Sequence, residues 1–182
     1  MRIILPLEEN PALREIAQDV SLSDIRSKHI QSLIAEMKEL LSHEEYGVAL
    51  AAPQLGESIK LFIVSGRALA RDKRNAPDEP GKSDDDVRPL PDQVYINPQL
   101  LKLSRKKYDK HEGCLSIRGK WGVVPRAEKA TVKAYDEEGR LFTRGASGFL
   151  AHVFQHEMDH LNGILYIDKA NEIYDDEREE QE

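Results

Sequence analysis

Apolar side chains recur along this chain with two different periods. Ile30, Leu33, Ile34, Met37, Leu40 and Leu41 fall at helical spacing, with charged residues mostly on the opposite face. This predicts a core-packing helix in the N-terminal part, after Pro11, with Ser21 or Ser23 as its cap. His29 and His43 flank that face and are expected at the surface. Gly47-Val-Ala-Leu-Ala-Ala-Pro-Gln-Leu-Gly56 is too irregular for a helix and too small-residued for an ordinary strand. Leu61-Phe-Ile-Val64 reads as a short buried strand, and Val94–Ile96 and Gly122–Val124 as further strands. Thr131–Tyr135 and Arg140–Thr143 flank Asp136-Glu-Glu-Gly139, which is a hairpin signal. A second helix is predicted from Ser147, carrying Phe149, Leu150, Val153, Phe154, Met158 and Leu161, with Asn162-Gly163 as its stop. Ile164–Ile167 is expected to form a closing strand.

Two stretches break the pattern. Residues 67–91 turn polar and rich in Pro, Asp and Lys, too poor in apolar surface to offset the entropy of ordering. They are expected to form a mobile loop inside a single domain spanning 1–170. The segment 171–182 ends in Asp175-Asp-Glu-Arg-Glu-Glu-Gln-Glu182 and reads as a solvated acidic tail.

Composition narrows the class without naming a chemistry. The chain has 182 residues, 40% apolar and 32% charged, which suits one soluble core. No apolar run approaches the roughly 20 residues of a membrane helix. The first residues turn acidic too soon for a signal peptide. A cytoplasmic protein with no membrane partner is the expectation. A net charge of −7 argues against broad binding to phosphate backbones, though it leaves room for a local basic patch.

The chemistry lies in the second helix. His156-Glu157-Met158-Asp159-His160 places two imidazoles one turn apart on one face, where both can reach one metal ion. Glu157, one position on, can reach a water at that ion without being a ligand. The competing reading is a helix surface that carries two histidines by chance. His152 lies one turn earlier, but it and His160 stand about 12 Å apart along the axis. It is therefore expected as a pocket wall or a packed side chain. A third ligand is missing: Tyr166 occupies the position where some zinc proteases carry a third His, and no later helix offers a Glu. Cys114, the lone cysteine, has packing, reactivity or metal ligation open to it.

Cys114 stands in Glu112-Gly-Cys-Leu-Ser116, the histidines in Gln155-His-Glu-Met-Asp-His-Leu161, and upstream lies Gly47-Val-Ala-Leu-Ala-Ala-Pro-Gln54. These three motifs in this order resemble peptide deformylase, over about Asn10 to Ile167. The family removes the N-formyl group from the initiator methionine of nascent bacterial and organellar proteins. The resemblance implies an α+β fold, with antiparallel sheets packed around a central helix that bears the H-E-x-x-H. It also implies one divalent ion per chain held by Cys114, His156 and His160, with water in the fourth position. Ferrous iron is favoured, with zinc, nickel or cobalt as alternatives. Glu157 is then the general base and acid, and Gln54 and the backbone N–H of Leu115 are the oxyanion donors.

Glu112 and Arg126 match a bracing ion pair. Gly47, Ala49, Phe149, His152 and Val153 match substrate-binding positions, the last three around the methionine side chain. Here the chain departs from the family, with Ala49 in place of Gly and a polar His152 in an apolar pocket. Trp121 either walls the peptide groove or packs. The implied partners are N-formyl-methionyl nascent peptides and the ribosome near its exit tunnel, with no other direct nucleic-acid binding expected. A metalloprotease of another H-E-x-x-H type and a non-catalytic relative that keeps the fold are the rival readings.

Overall fold

The computed structural model describes residues 2–74 and 90–176. Its elements in chain order are α1 (Lys28–His43), β1 (Ala49–Ala51), β2 (Leu61–Val64), α2 (Gly66–Arg74), β3 (Gln93–Leu103) and β4 (Lys107–Cys114). Then come β5 (Ile117–Ala127), β6 (Lys129–Tyr135), β7 (Leu141–Ser147), α3 (Gly148–His160) and β8 (Glu172–Asp175). The strands make two sheets, one of order β1-β2-β3-β6-β7 and one of order β4-β5-β8, and every pairing is antiparallel. This is the α+β architecture expected from the sequence.

The four apolar residues of β2 are all buried because both faces of its sheet are covered. Successive strand side chains point to opposite faces. Leu61 and Ile63 join the core built on Ile30, Leu33, Ile34, Met37 and Leu41 of α1. Phe62 and Val64 join the core built on Leu150, Val153 and Phe154 of α3. Burying one such side chain fully is worth about 1.5–3 kcal/mol, so the two helices clamp the sheet from either side. Phe62, Tyr95 and Phe154 mesh at the centre of the α3 layer, with Phe62 and Tyr95 stacked at 4.6 Å.

Several sequence expectations need correction. Ser27 caps α1, accepting from Ile30 N–H at 3.3 Å, while the Ser21 and Ser23 hydroxyls bond each other at 2.8 Å. The expected loop at 67–91 begins with a helix, α2. Asp92 Oδ1 accepts from Gly66 N–H at 2.8 Å at the start of that helix, and Ala68, Leu69 and Ala70 are buried. Residues 75–89 of that loop lie outside the described residues. The strand expected at 164–167 gives way to a 3-10 turn at Tyr166–Asp168, where Leu165 N–H donates to Asp168 Oδ2 at 2.8 Å. Arg14 pairs with the same carboxylate. The tail expected from 171 instead starts as β8, which pairs with β5 from Lys120↔Asp175 to Val123↔Glu172. Residues 177–182 lie outside the described residues.

Candidate metal centre

Helix α3 is held by apolar contacts on one side and by polar contacts with β5 on another. Gln155, buried, accepts from Ala127 N–H at 2.9 Å and donates to Ala127 O at 3.0 Å and to Ala151 O at 2.9 Å. With the helix fixed this way, His156 and His160 meet Cys114, the last residue of β4. An irregularity between Glu112 and Cys114 interrupts the β4–β5 pairing there, and the turn at Leu115-Ser116 follows directly. Such irregularities re-aim side chains. Cys114 Sγ lies 3.4 Å from His160 Nε2. One ligand atom from each of Cys114, His156 and His160 can be chosen so that all lie within 4.8 Å of one another.

This donor set fits one divalent ion. Zinc–sulfur and zinc–nitrogen bonds of about 2.0–2.3 Å put tetrahedral neighbours within about 4 Å of each other. Thiolate with two imidazoles suits zinc, iron, nickel or cobalt. Glu157 Oε2 is buried at the site with no hydrogen-bond partner among the described residues. Buried polar atoms are normally paired, so this oxygen is suited to a group from outside the chain. Three protein ligands also mark a catalytic ion more than a structural one.

The electrostatics around the ligands centre on Glu112. Arg126 donates through Nε to Glu112 Oε1 at 2.6 Å and through Nη2 to Oε2 at 2.9 Å. Arg126 Nη1 also reaches Asp159 Oδ2 at 2.6 Å, and Lys169 Nζ holds Asp159 Oδ1 at 2.6 Å. Burial would raise the Glu112 pKa, but hydrogen bonds from Arg126, His152 and His156 outweigh it and hold the group well below the carboxylate range. Burying such a charge uncompensated costs several kcal/mol, which is why it is ringed by donors. His156 Nδ1 lies 2.7 Å from Glu112 Oε2. An ionised carboxylate only accepts, so Nδ1 carries a proton and Nε2 is the ring nitrogen that can face a metal.

Burial pushes the Glu157 carboxyl up to about 7, against the pull of His156. Burial drives His160 well below its ordinary value and also lowers His152, favouring the neutral ring in both. Gln54 is buried, and its Oε1 accepts from Ala51 N–H at 2.9 Å. That bond orients the amide and turns Nε2 toward Cys114 Sγ at 3.5 Å and Ser116 Oγ at 3.4 Å. Sequence positions far apart thus bring a thiol, two imidazoles, a carboxyl and an amide donor together.

A family model for polypeptide deformylase matches residues 1–176. The chain belongs to this family. It is 38% identical over 165 residues to the peptide deformylase of Leptospira biflexa, covering 88% of this chain and 83% of that one. Among solved structures it resembles a peptide deformylase from Synechococcus elongatus in complex with actinonin. That likeness has a TM-score of 0.74 at 31% identity, over 94% of this chain and 79% of the other. It also resembles a Met-Ala-Ser-bound class I type b peptide deformylase from Acinetobacter baumannii. There the TM-score is 0.73 at 32% identity, over 93% of this chain and 99% of the other.

The other family positions singled out in the sequence fall in varied surroundings. Gly47 is buried at the exit from α1, where a Cβ would lie 2.7 Å from Glu44 Cβ and 2.9 Å from Leu41 Cδ1. The turn itself therefore requires the glycine. Ala49 pairs with Val64 in β1, and its methyl lies in the α3-side core, which accommodates the departure from the family's Gly. Val153 is in that core too, and Phe149 packs against it. Trp121 lies against Gly113, where a Cβ would come within 3.5 Å of the indole, and its Nε1 donates to Asp176 Oδ2 at 2.8 Å.

Three further residues contribute to the site in ways the sequence does not signal. Asp159 and Lys169 extend the Arg126 network. The Tyr166 ring stacks on His156 at 6.2 Å and 22°, with its hydroxyl donating to Lys120 O at 3.0 Å. Gly122 makes room for this ring, since a Cβ there would meet it at 2.9 Å.

Proposed function

We propose that this chain hydrolyses the formyl group from N-formyl-methionyl peptides, releasing formate and a free amine, at one divalent ion held by Cys114, His156 and His160. The observation that carries this reading is the meeting of those three ligands beside the buried, partner-free carboxyl oxygen of Glu157. When bound, the ion would acidify water to give a nucleophile near neutral pH and polarise the formyl carbonyl. Ferrous iron is the metal proposed for the native protein, with zinc, nickel or cobalt able to occupy the same ligands.

The chain's own groups do the rest. Glu157, with its pKa near neutrality, takes the proton of the attacking water and delivers it to the leaving amine. Gln54 Nε2 and the Leu115 backbone N–H donate to the oxyanion that develops on the formyl oxygen. The Ala51–Gln54 hydrogen bond supports this role because it sets which end of the amide faces the site. Glu112 and Arg126 brace the segment that bears Cys114. Gly47, Ala49, Phe149, His152 and Val153 belong to the substrate-binding region in this reading. The catalytic domain proposed from residue 1 extends past 170 through β8, since that strand completes the second sheet. Incubation of the metal-loaded protein with formyl-Met-Ala-Ser and with acetyl-Met-Ala-Ser tests the reaction. Formate release from the first and no change in the second is expected, and cleavage between residues of either would sink it.

Gln54→Leu is expected to lower kcat by about 10²–10³-fold, the usual cost of losing one oxyanion donor, with little change in KM. Steady-state kinetics with formate detection check this. A loss confined to KM would place Gln54 in substrate binding instead.

We place the activity in the cytoplasm, where translation supplies the substrate, and include a ribosome contact. No described helix is long and apolar enough to cross a membrane. The β3–β4 connection supports such a contact, because Lys102, Arg105, Lys106 and Lys107 are exposed on it, with Lys110 half-buried and Asp109 and Glu128 as the acidic groups beside them. Lys106 Nζ lies 4.7 Å above the exposed Tyr108 ring. Co-sedimentation with ribosomes should weaken steeply with salt and be lost in Lys106→Glu/Lys107→Glu protein. Binding insensitive to both would rule out this connection as the contact.

A further inference from the structure

His152 matches a position around the methionine side chain in related deformylases, yet here its polar edge is engaged elsewhere. Its Nε2 lies 2.7 Å from Glu112 Oε1, with the imidazole 13% exposed and the carboxylate 1%. Glu112 Oε1 therefore accepts from Arg126 Nε and His152 Nε2, while Oε2 accepts from Arg126 Nη2 and His156 Nδ1. Each oxygen has two donors, one from the guanidinium and one from an imidazole. His152 and His156 lie one helical turn apart, so a single carboxylate bridges two successive turns of α3.

We propose that His152 is a positioning residue for the metal centre: its Nε2–H completes the acceptor set of Glu112 and thereby fixes the ring of His156. The proposal rests on the reading of Cys114, His156 and His160 as the metal ligands. Without the His152 bond, Glu112 Oε1 keeps only Arg126 Nε. The carboxylate can then turn about its terminal bond toward Arg126, and the hydrogen bond that holds His156 Nδ1 lengthens. Partners that orient a ligating imidazole typically govern metal affinity or activity by about 10–100-fold. His152 acts at one remove from such a partner, so an effect near the lower end is expected. The departure from an apolar pocket residue is then explained by the metal side of the helix.

Reach separates this role from simple packing. Gln carries its amide nitrogen as many bonds from Cβ as the histidine Nε2, while Asn ends one bond short. The test is release of Co²⁺ from the loaded protein into excess chelator. It is followed by loss of the thiolate-to-cobalt absorption, which reports on Cys114, the single cysteine of the chain. His152→Gln should release cobalt at the parental rate. His152→Asn should release it about tenfold faster. His152→Leu, an apolar side chain with no donor, should match Asn, so the contrast survives if one of these variants does not fold. Equal rates in all four proteins, or a Gln variant as fast as Asn, would overturn the proposal. A role as pocket wall alone would shift KM for formyl-Met-Ala-Ser and leave cobalt release untouched. Failure of the parent protein to take up cobalt would instead overturn the metal-site reading beneath it.

Discussion

Glu157→Gln is expected to lower kcat/KM for a formyl-methionyl peptide by about 10²–10⁴-fold, the range general acid–base catalysis supplies, with the metal still bound. Glu157 is buried, Oε2 has no partner among the described residues, and burial pushes its carboxyl up to about 7. A group with a pKa near the working pH can both accept and return a proton. A structural carboxylate in this place would be ringed by donors, as Glu112 is. Gln is close in shape but cannot take a proton, so the loss should appear in kcat while metal content and thermal unfolding stay near the parent. Elemental analysis alongside formate kinetics checks both. An active Gln variant would move the proton to another group.

Cys114→Ala should abolish stable metal binding, and activity with it. Loss of a partner that merely orients a ligand costs about 10–100-fold in affinity, and loss of a ligand should exceed that. The thiol sits at the end of β4, 3.4 Å from His160 Nε2, and the chain has no other cysteine to replace it. Chelator competition measures the affinity, and circular dichroism confirms that the β4–β5 hairpin still folds. The same experiment separates this family from other H-E-x-x-H hydrolases, in which a distant cysteine is not a ligand and its removal leaves metal binding intact.

Much of this could be read from the sequence because the strongest signals were local. The apolar stripe of α1, the all-apolar β2 and the β6–β7 hairpin each carry their period within a few residues. The H-E-x-x-H spacing likewise contains its own geometry, since one helical turn separates the two histidines. What escaped reading depends on partners far along the chain. Helix α2 begins with a hydrogen bond from Gly66 to Asp92, on the far side of a polar stretch. Strand β8 looks like an acidic tail until β5 is beside it, and its Ile173 and Tyr174 stay exposed even when paired.

At the site, the residue types were legible and their directions were not. Gln54 gained meaning from Ala51, which orients its amide. The sequence leaves His152 as a pocket wall or a packed side chain, and the structure joins it to Glu112 at 2.7 Å. Ala49, which stands where the resemblance leads one to expect Gly, is part of the α3-side core. Tyr166 looked like a place where a ligand was missing, and it is a platform under His156.

In the proposed function, one metal ion held by Cys114, His156 and His160 makes this chain a deformylase. Fe²⁺ titrated without oxygen into metal-free protein puts this to the test, with formate release from formyl-Met-Ala-Ser followed at each addition. Formate release should rise from zero and saturate at one ion per chain, and Cys114→Ala protein should show no such rise. Protein that binds one ion per chain through these residues and still releases no formate would contradict it.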